Sequence, residues 1–244
     1  MAGSLYIVST PIGDPDDVSL RALRVLKTVA VVAAEDPQRA QMLMTRHGIT
    51  TPITSYQNEN KEEKIPVLLQ RMREGQGVAL VSDAGTPAVV DPGALLILKA
   101  LRHQIPVVSV PGPSAILAAL AASGLPGDAF LFAGPVPSRS AARHALLRSL
   151  RAEPRTIVCF ESARRLPGTF QALRGLFGNR HLAVACNLTT PREQWIRGTI
   201  DEIVRGGTAQ AVQGEVTLVI GGARPGKRIG KKGGRRARVT RNAS

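Results

Sequence analysis

The chain has 244 residues, 43% of them hydrophobic and only 3% aromatic, with two cysteines and a formal net charge of +14. Such a length can bury a sizeable core, as one large domain or two lobes. No stretch approaches the roughly 18 apolar residues a bilayer crossing needs, and the start "MAGSLYIVSTPIG" lacks a leader's basic and apolar regions, so a cytoplasmic location is expected. Cys159 and Cys186 lie in the apolar runs "TIVCF" and "LAVAC", where buried free thiols are expected rather than a disulfide or a metal pair. Few aromatic residues also argue against base-stacking platforms.

In chain order, strand-sized apolar runs alternate with helical ones. The sequence predicts strands at 5–9, 29–34, 53–56, 78–82 and 107–110, then at 130–132, 156–160, 182–186 and 216–220. Helical stretches fall between most of them, at 19–27, 37–47, 62–74, 93–103, 114–123, 140–150, 166–177 and 199–204. Thr199 with Glu202 forms a capping box, Pro167 suits a first helical turn, and Gly48, Gly75 and Gly178 stand where helices should stop. The pattern is that of an α/β chain. Its best break is "SGLPGD", which gives lobes at 1–123 and 124–222.

Beyond these lies a basic tail, 223–244. Nine of the 32 lysines and arginines follow Gly222, from Arg224 to Arg241, with no acid among them. The segment is glycine-rich and self-repelling, hence expected to be disordered, and reads either as a solubilising tail or as an arm for nucleic-acid phosphates.

Three Gly/Pro-rich loops follow predicted strands: "STPIGDPDD", "SDAGTPAVVDPG" and "VPGPSA". Ligands of α/β proteins sit at the carboxyl ends of strands, so these loops are placed as one ligand rim, although each alone is also an ordinary strand-to-helix turn. Ser114 can cap a helix whose free N–H groups point to that rim. No dinucleotide fingerprint or phosphate-binding P-loop is present. Glu35, Asp36 and Glu161 are the candidate bases on the rim, while Asp36 equally suits a cap for the helix starting at Pro37.

"LYIVSTPIG", "VAAEDPQR", "VALVSDAGTPAVVDPG", "VPGPSAILAALAASGLP", "CFES" and "WIRGT", in this order, resemble the tetrapyrrole methylase superfamily, and within it the branch acting on small-subunit ribosomal RNA. The resemblance spans about Leu5 to Ile220 and implies a two-lobed class III α/β methyltransferase, a homodimer, with S-adenosylmethionine in the cleft between lobes. The implied reaction is 2′-O-methylation of a cytidine ribose. Carried over by position, Pro11, Asp83, Gly85, Thr86, Ser114, Ala115, Phe160, Leu188 and Val216 would line the donor pocket. Asp36 with Arg39 would stand beside the cleft as first choice for the catalytic pair. Asp14, Gln57, Arg164, Cys186 and Asn187 depart from the family pattern, mostly on the substrate side. Arg164 and Arg165 read either as phosphate ligands or as a solvated helix start. A methyltransferase for a small tetrapyrrole and a non-catalytic ribosome-binding protein are the alternatives.

Overall fold

The computed structural model describes residues 3–207 and 212–223. The basic tail from Arg224 onward, with its expected disorder, lies outside the described residues.

Strands β1 (Leu5–Val8), β2 (Val31–Ala34), β3 (Ile53–Ser55), β4 (Val78–Val81) and β5 (Val107–Val110) form one parallel sheet in the order β3-β2-β4-β1-β5. β2 and β4 read "VVAA" and "VALV" and are buried throughout, as strands covered on both faces must be. Helices α1 (Leu20–Thr28) and α2 (Pro37–Arg46) cover one face through Leu26 and Met44. Helices α3 (Lys61–Arg73) and α4 (Ala94–Arg102) cover the other through Leu68, Met72 and Leu96. β1 sits between β4 and β5 while β2 and β3 lie beyond β4, so the order reverses at β1 and the loops after β1, β4 and β5 meet at one edge.

The second sheet contains β6 (Phe130–Pro135), β7 (Thr156–Ser162), β8 (His181–Cys186), β9 (Gln194–Thr199) and β10 (Glu215–Ile220) in the order β6-β7-β10-β8-β9. Only β6 and β7 pair in parallel; the remaining pairs are antiparallel. Helix α7 (Leu166–Phe177) buries Leu166, Phe170 and Leu173 against one face, flanked by α6 (Ser140–Ser149) and α8 (Ile200–Arg205). The opposite face is covered by α5 (Ala115–Ala122), the helix that leaves the first sheet after β5: its Ala119 and Leu120 pack with Val158, Ala183, Ala185 and Val219.

Every strand and helix expected from the sequence is present, and the capping box at Thr199 and Glu202 is formed. β9 was not expected. Its "QWIRGT" is an edge strand with no fully buried residue, so it carries no strand-like apolar run.

Candidate functional site

The three Gly/Pro-rich loops meet at the carboxyl edge of the first sheet. Thr10 and Gly85 exchange both backbone hydrogen bonds, at 2.9 and 3.0 Å, and the Thr10 hydroxyl donates to the Ser82 carbonyl at 3.2 Å. The Ser9 and Thr86 hydroxyls share a 2.8 Å hydrogen bond. The backbone at Gly85 turns through a φ of +78°, open to glycine at no steric cost. Ser114 accepts from Leu117 N–H and caps α5, whose Ala115 follows directly. The β4 loop also carries strain: Ala88 and the β-branched Val90 have φ of 67° and 80°, conformations that cost of order 1–3 kcal/mol each.

A carboxylate group lies beneath these loops. Glu35, directly after β2, accepts from the Asp83 N–H at 3.4 Å, and its own carbonyl accepts from the Gln57 side-chain amide at 2.9 Å. Burial, then the Asp91 and Asp83 carboxylates, hold Glu35 above the usual carboxylate range, while the Asp83 N–H and Arg39 pull the other way. Burial likewise raises Asp91, with Asp83 and Glu215 adding to the effect and the Ser82 hydroxyl opposing it. One oxygen of Asp83, Oδ1, is buried without a hydrogen-bond partner, and Arg39 lies 4.0 Å from the other. Asp91 and Ser82 were not among the residues singled out from the sequence. Both stood within the quoted loop, but nothing local distinguishes a buried aspartate from an ordinary turn former.

Asp36 is committed to the helix. Its Oδ1 accepts from Gln38 and Arg39 N–H at 2.8 and 3.3 Å, capping α2, and its Oδ2 lies 3.7 Å from Arg39 Nε. Asp36→Ala should therefore cost about 1 kcal/mol of stability and Asp36→Asn much less, because asparagine caps equally well. Urea denaturation of the two variants checks this; equal losses would show that the charge, not the cap, is what the fold uses.

The second sheet reaches the rim through one loop. Asp14 N–H donates to the Thr189 hydroxyl at 2.8 Å, and a side chain at Gly13 would place Cβ 2.3 Å from the Leu188 carbonyl oxygen. Leu188 itself packs with Ile12 and Ala115. Phe160 lies on the same face of β7 as Val158 and meets Phe132 edge-on, with centroids 5.0 Å apart.

Two expected site residues are not brought to the rim. Val216 points to the opposite face, into the core under α7. Glu161 shares that face: its fully buried carboxylate accepts from Ser162 N–H, Arg165 Nε and the Thr169 hydroxyl at 2.6–2.8 Å, so it is a satisfied internal anion. Cys159 and Cys186 are buried thiols pushed up to about 12 and about 11, far from thiolate chemistry.

Between the first loop and α2 runs a groove of about 370 Å³. Pro11, Pro15 and Leu43 supply its apolar wall, and Arg39, Arg46 and Asp83 its charges. Arg46 is anchored by Asp16 at 2.8 Å. Apolar walls with a few convergent charged groups can hold an organic ligand in a fixed orientation, and the raised Glu35 nearby can accept a proton.

Residues 4–204 match the family described as Tetrapyrrole (Corrin/Porphyrin) Methylases. Proteins named "Ribosomal RNA small subunit methyltransferase I" are similar to this chain: the one from Micromonospora olivasterospora is 41% identical, covering 91% of this chain and 71% of the relative. Those from Mesorhizobium japonicum and Thermotoga maritima are 44% and 39% identical over 90% of this chain and 76% and 99% of theirs. Among solved structures, the uroporphyrin-III-C-methyltransferase from Thermus thermophilus superposes with a TM-score of 0.63 at 25% identity, over 90% of this chain and 94% of that one. A crystal form of the same enzyme complexed with S-adenosyl homocysteine gives 0.62 at 25% identity, over 90% of this chain and 97% of that one.

Proposed function

This chain belongs to the tetrapyrrole methylase family and is a methyltransferase, and from that premise we propose that it moves a methyl group from S-adenosylmethionine to the ribose 2′-hydroxyl of a cytidine in small-subunit ribosomal RNA. The observation that carries the reading is the identity, spread over nine-tenths of the chain, with relatives named for methylating that RNA. The Thermus enzyme's complex with S-adenosyl homocysteine supports the donor.

The rim fits such a donor. Its body is apolar at Ile12, Ala115 and Leu188. Asp83 offers a buried oxygen that lacks a donor partner, suited to a ligand ammonium or hydroxyl. Gly85 presents backbone with no side chain in the way. We assign Pro11, Asp83, Gly85, Thr86, Ser114, Ala115, Phe160 and Leu188 to the donor pocket, with Val216 supporting it from the core behind. When bound, the donor supplies an electrophilic methyl group on sulfur. The Thr10–Gly85 and Ser9–Thr86 hydrogen bonds hold the loops that set its orientation, and alignment alone removes a large part of such a barrier. Glu35, rather than Asp36, takes the hydroxyl proton: it is the carboxylate with raised proton affinity, while Asp36 is engaged as a cap. Arg39, 61% exposed and only loosely paired, faces the acceptor's phosphate. Glu161 serves the fold alone.

The same reading includes a homodimer in the cytoplasm, lobes at 1–123 and 124–222 with α5 as the element of the first that docks on the second, and a tail whose cations at 224–241 contact RNA phosphates. The tail's support is its nine cations without a compensating acid.

The test is methylation of small ribosomal subunits from a strain deleted for this gene, followed by nucleoside mass spectrometry, with donor binding measured by calorimetry. Restoration of a missing 2′-O-methylcytidine is expected. Donor binding without any nucleoside product, or methylation of a tetrapyrrole instead, would reject the acceptor.

A further inference from the structure

We propose that the start of α7, where Arg139, Arg143 and Arg164 gather, is a docking surface for the phosphodiester backbone of RNA, separate from the rim. The proposal rests on the reading that the acceptor is RNA.

Six of the twelve described arginines after residue 123 have a counter-charge or a carbonyl partner. Arg165 is held by Glu161, Arg155 by Glu153 and Arg174 by Asp201. Arg139, Arg143 and Arg164 have none: their side chains, like those of Arg148, Arg151 and Arg192, make no ion pair and no hydrogen bond among the described residues. From Arg139 to Arg151 the sequence holds four arginines and no acid. Arg139 precedes α6 and Arg143 lies one turn further on. The Arg143 guanidinium rests over the first turn of α7, where a Cβ on Gly168 would lie 3.2 Å from its Nη2. Its Nε is buried with no partner. Arg164 is exposed in the single 3-10 turn that leads into α7.

Like charges brought together without an anion repel one another, and the α7 terminus adds its own partial positive charge, with no side-chain cap to offset it. An arrangement of this kind is stabilised by an external anion. Beside it lies an open hollow of about 600 Å³ lined by Ser162, Arg164, Pro167, Gln213 and Gly214. Gly214 borders the rim in sequence: the next residue, Glu215, carries its charge toward Asp91. Cations spread over the start of α6 and the turn before α7, with Arg164 alone on the open hollow, suit a strand with repeated phosphates, which can touch all three, better than one small anion. An acceptor strand seated at the rim can thus continue across the start of α7.

Full-length protein and a small-subunit ribosomal RNA transcript, titrated across a salt series, test this. The exposed-site variants Arg164→Ala and Arg139→Ala, neither of which removes a packing or hydrogen-bond partner, and the triple variant with Arg143→Ala are compared with wild type. Each lost phosphate contact should make the slope of log K against log salt shallower by about 0.7, so that the triple variant loses about 2. Arg164→Lys should keep its slope, and donor affinity by calorimetry should be unchanged in every variant. Unchanged slopes in Arg164→Ala and Arg139→Ala would overturn the proposal. So would competition by millimolar inorganic phosphate at constant ionic strength, which would assign the cluster to a free anion. A wild type that does not bind the transcript at all would instead reject the RNA reading on which the surface rests.

Discussion

Glu35→Gln is expected to lower methyl transfer by about 10² to 10⁴-fold, the range that a positioned general base contributes, with donor affinity little changed. The glutamine keeps the shape and can still accept from the Asp83 N–H, so what it removes is proton affinity. In wild type, turnover should rise with pH through a pKa above the ordinary carboxylate range, because burial and the Asp91 and Asp83 carboxylates keep Glu35 protonated longer than a free glutamate. The Gln variant should lack that limb. The stability consequence has the opposite sign. A carboxyl whose folded pKa is raised favours the fold at pH below its unfolded value, and this contribution is lost as pH rises through the folded value. Above its raised folded pKa the ionised Glu35 therefore burdens the fold, and there Glu35→Gln should melt higher than wild type. A variant that melts higher and retains full turnover would return the proton to another group, Asp36 first, and Asp36→Asn would then show the loss in turnover.

The second large effect is expected at Gly13. A Cβ there would stand 2.3 Å from the Leu188 carbonyl oxygen, 2.6 Å from Thr189 Oγ1 and 2.8 Å from Thr190 Cγ2. All three of these neighbours are backbone or β-branched and do not swing aside freely. Gly13→Val should force the first loop off the 187–190 loop, break the Asp14 to Thr189 hydrogen bond and open the packing of Ile12 on Leu188. Overpacking of this kind costs about 1–3 kcal/mol of stability. Because the same residues form the apolar body of the proposed donor pocket, donor affinity should fall by at least about tenfold, which about 1.4 kcal/mol suffices to produce. Thermal melting and calorimetry on one preparation separate the two losses. Reduced stability with normal donor affinity would remove the Gly13 junction from the pocket.

These two sites differ in how far they could be read from sequence. The rim was legible because its ingredients are local: Gly85, Ser114 and the prolines each announce a turn or a cap after an apolar run. The double role open to Asp36 was also visible, since a cap needs only the residue and the helix that follows. What separated Glu35 from Asp36 was not local. Glu35 owes its raised proton affinity first to burial and then to Asp91 and Asp83, which only the order β2-β4-β1 brings beside it. The same limit explains Glu161, which reads as a rim acid at the end of a strand but is turned to the α7 face by the two-residue alternation of β7. Strand β9 was missed because an exposed edge strand has no apolar signature. The Gly13 contact joins segments from the two halves of the chain, and no spacing rule connects them.

Helix α5 bears on how the molecule is made. Its sequence, "AILAALAA", has no charged or hydrogen-bonding side chain, and it belongs by connection to the first sheet and by contact to the second. As the chain leaves the ribosome, the whole parallel sheet can assemble while α5 still lacks the strands that cover it: β7, β8 and β10 come later, and β10 is the last described strand. A growing chain must therefore carry an uncovered greasy helix until β7, β8 and β10 have been made, and that interval is when a nascent-chain chaperone has something to hold.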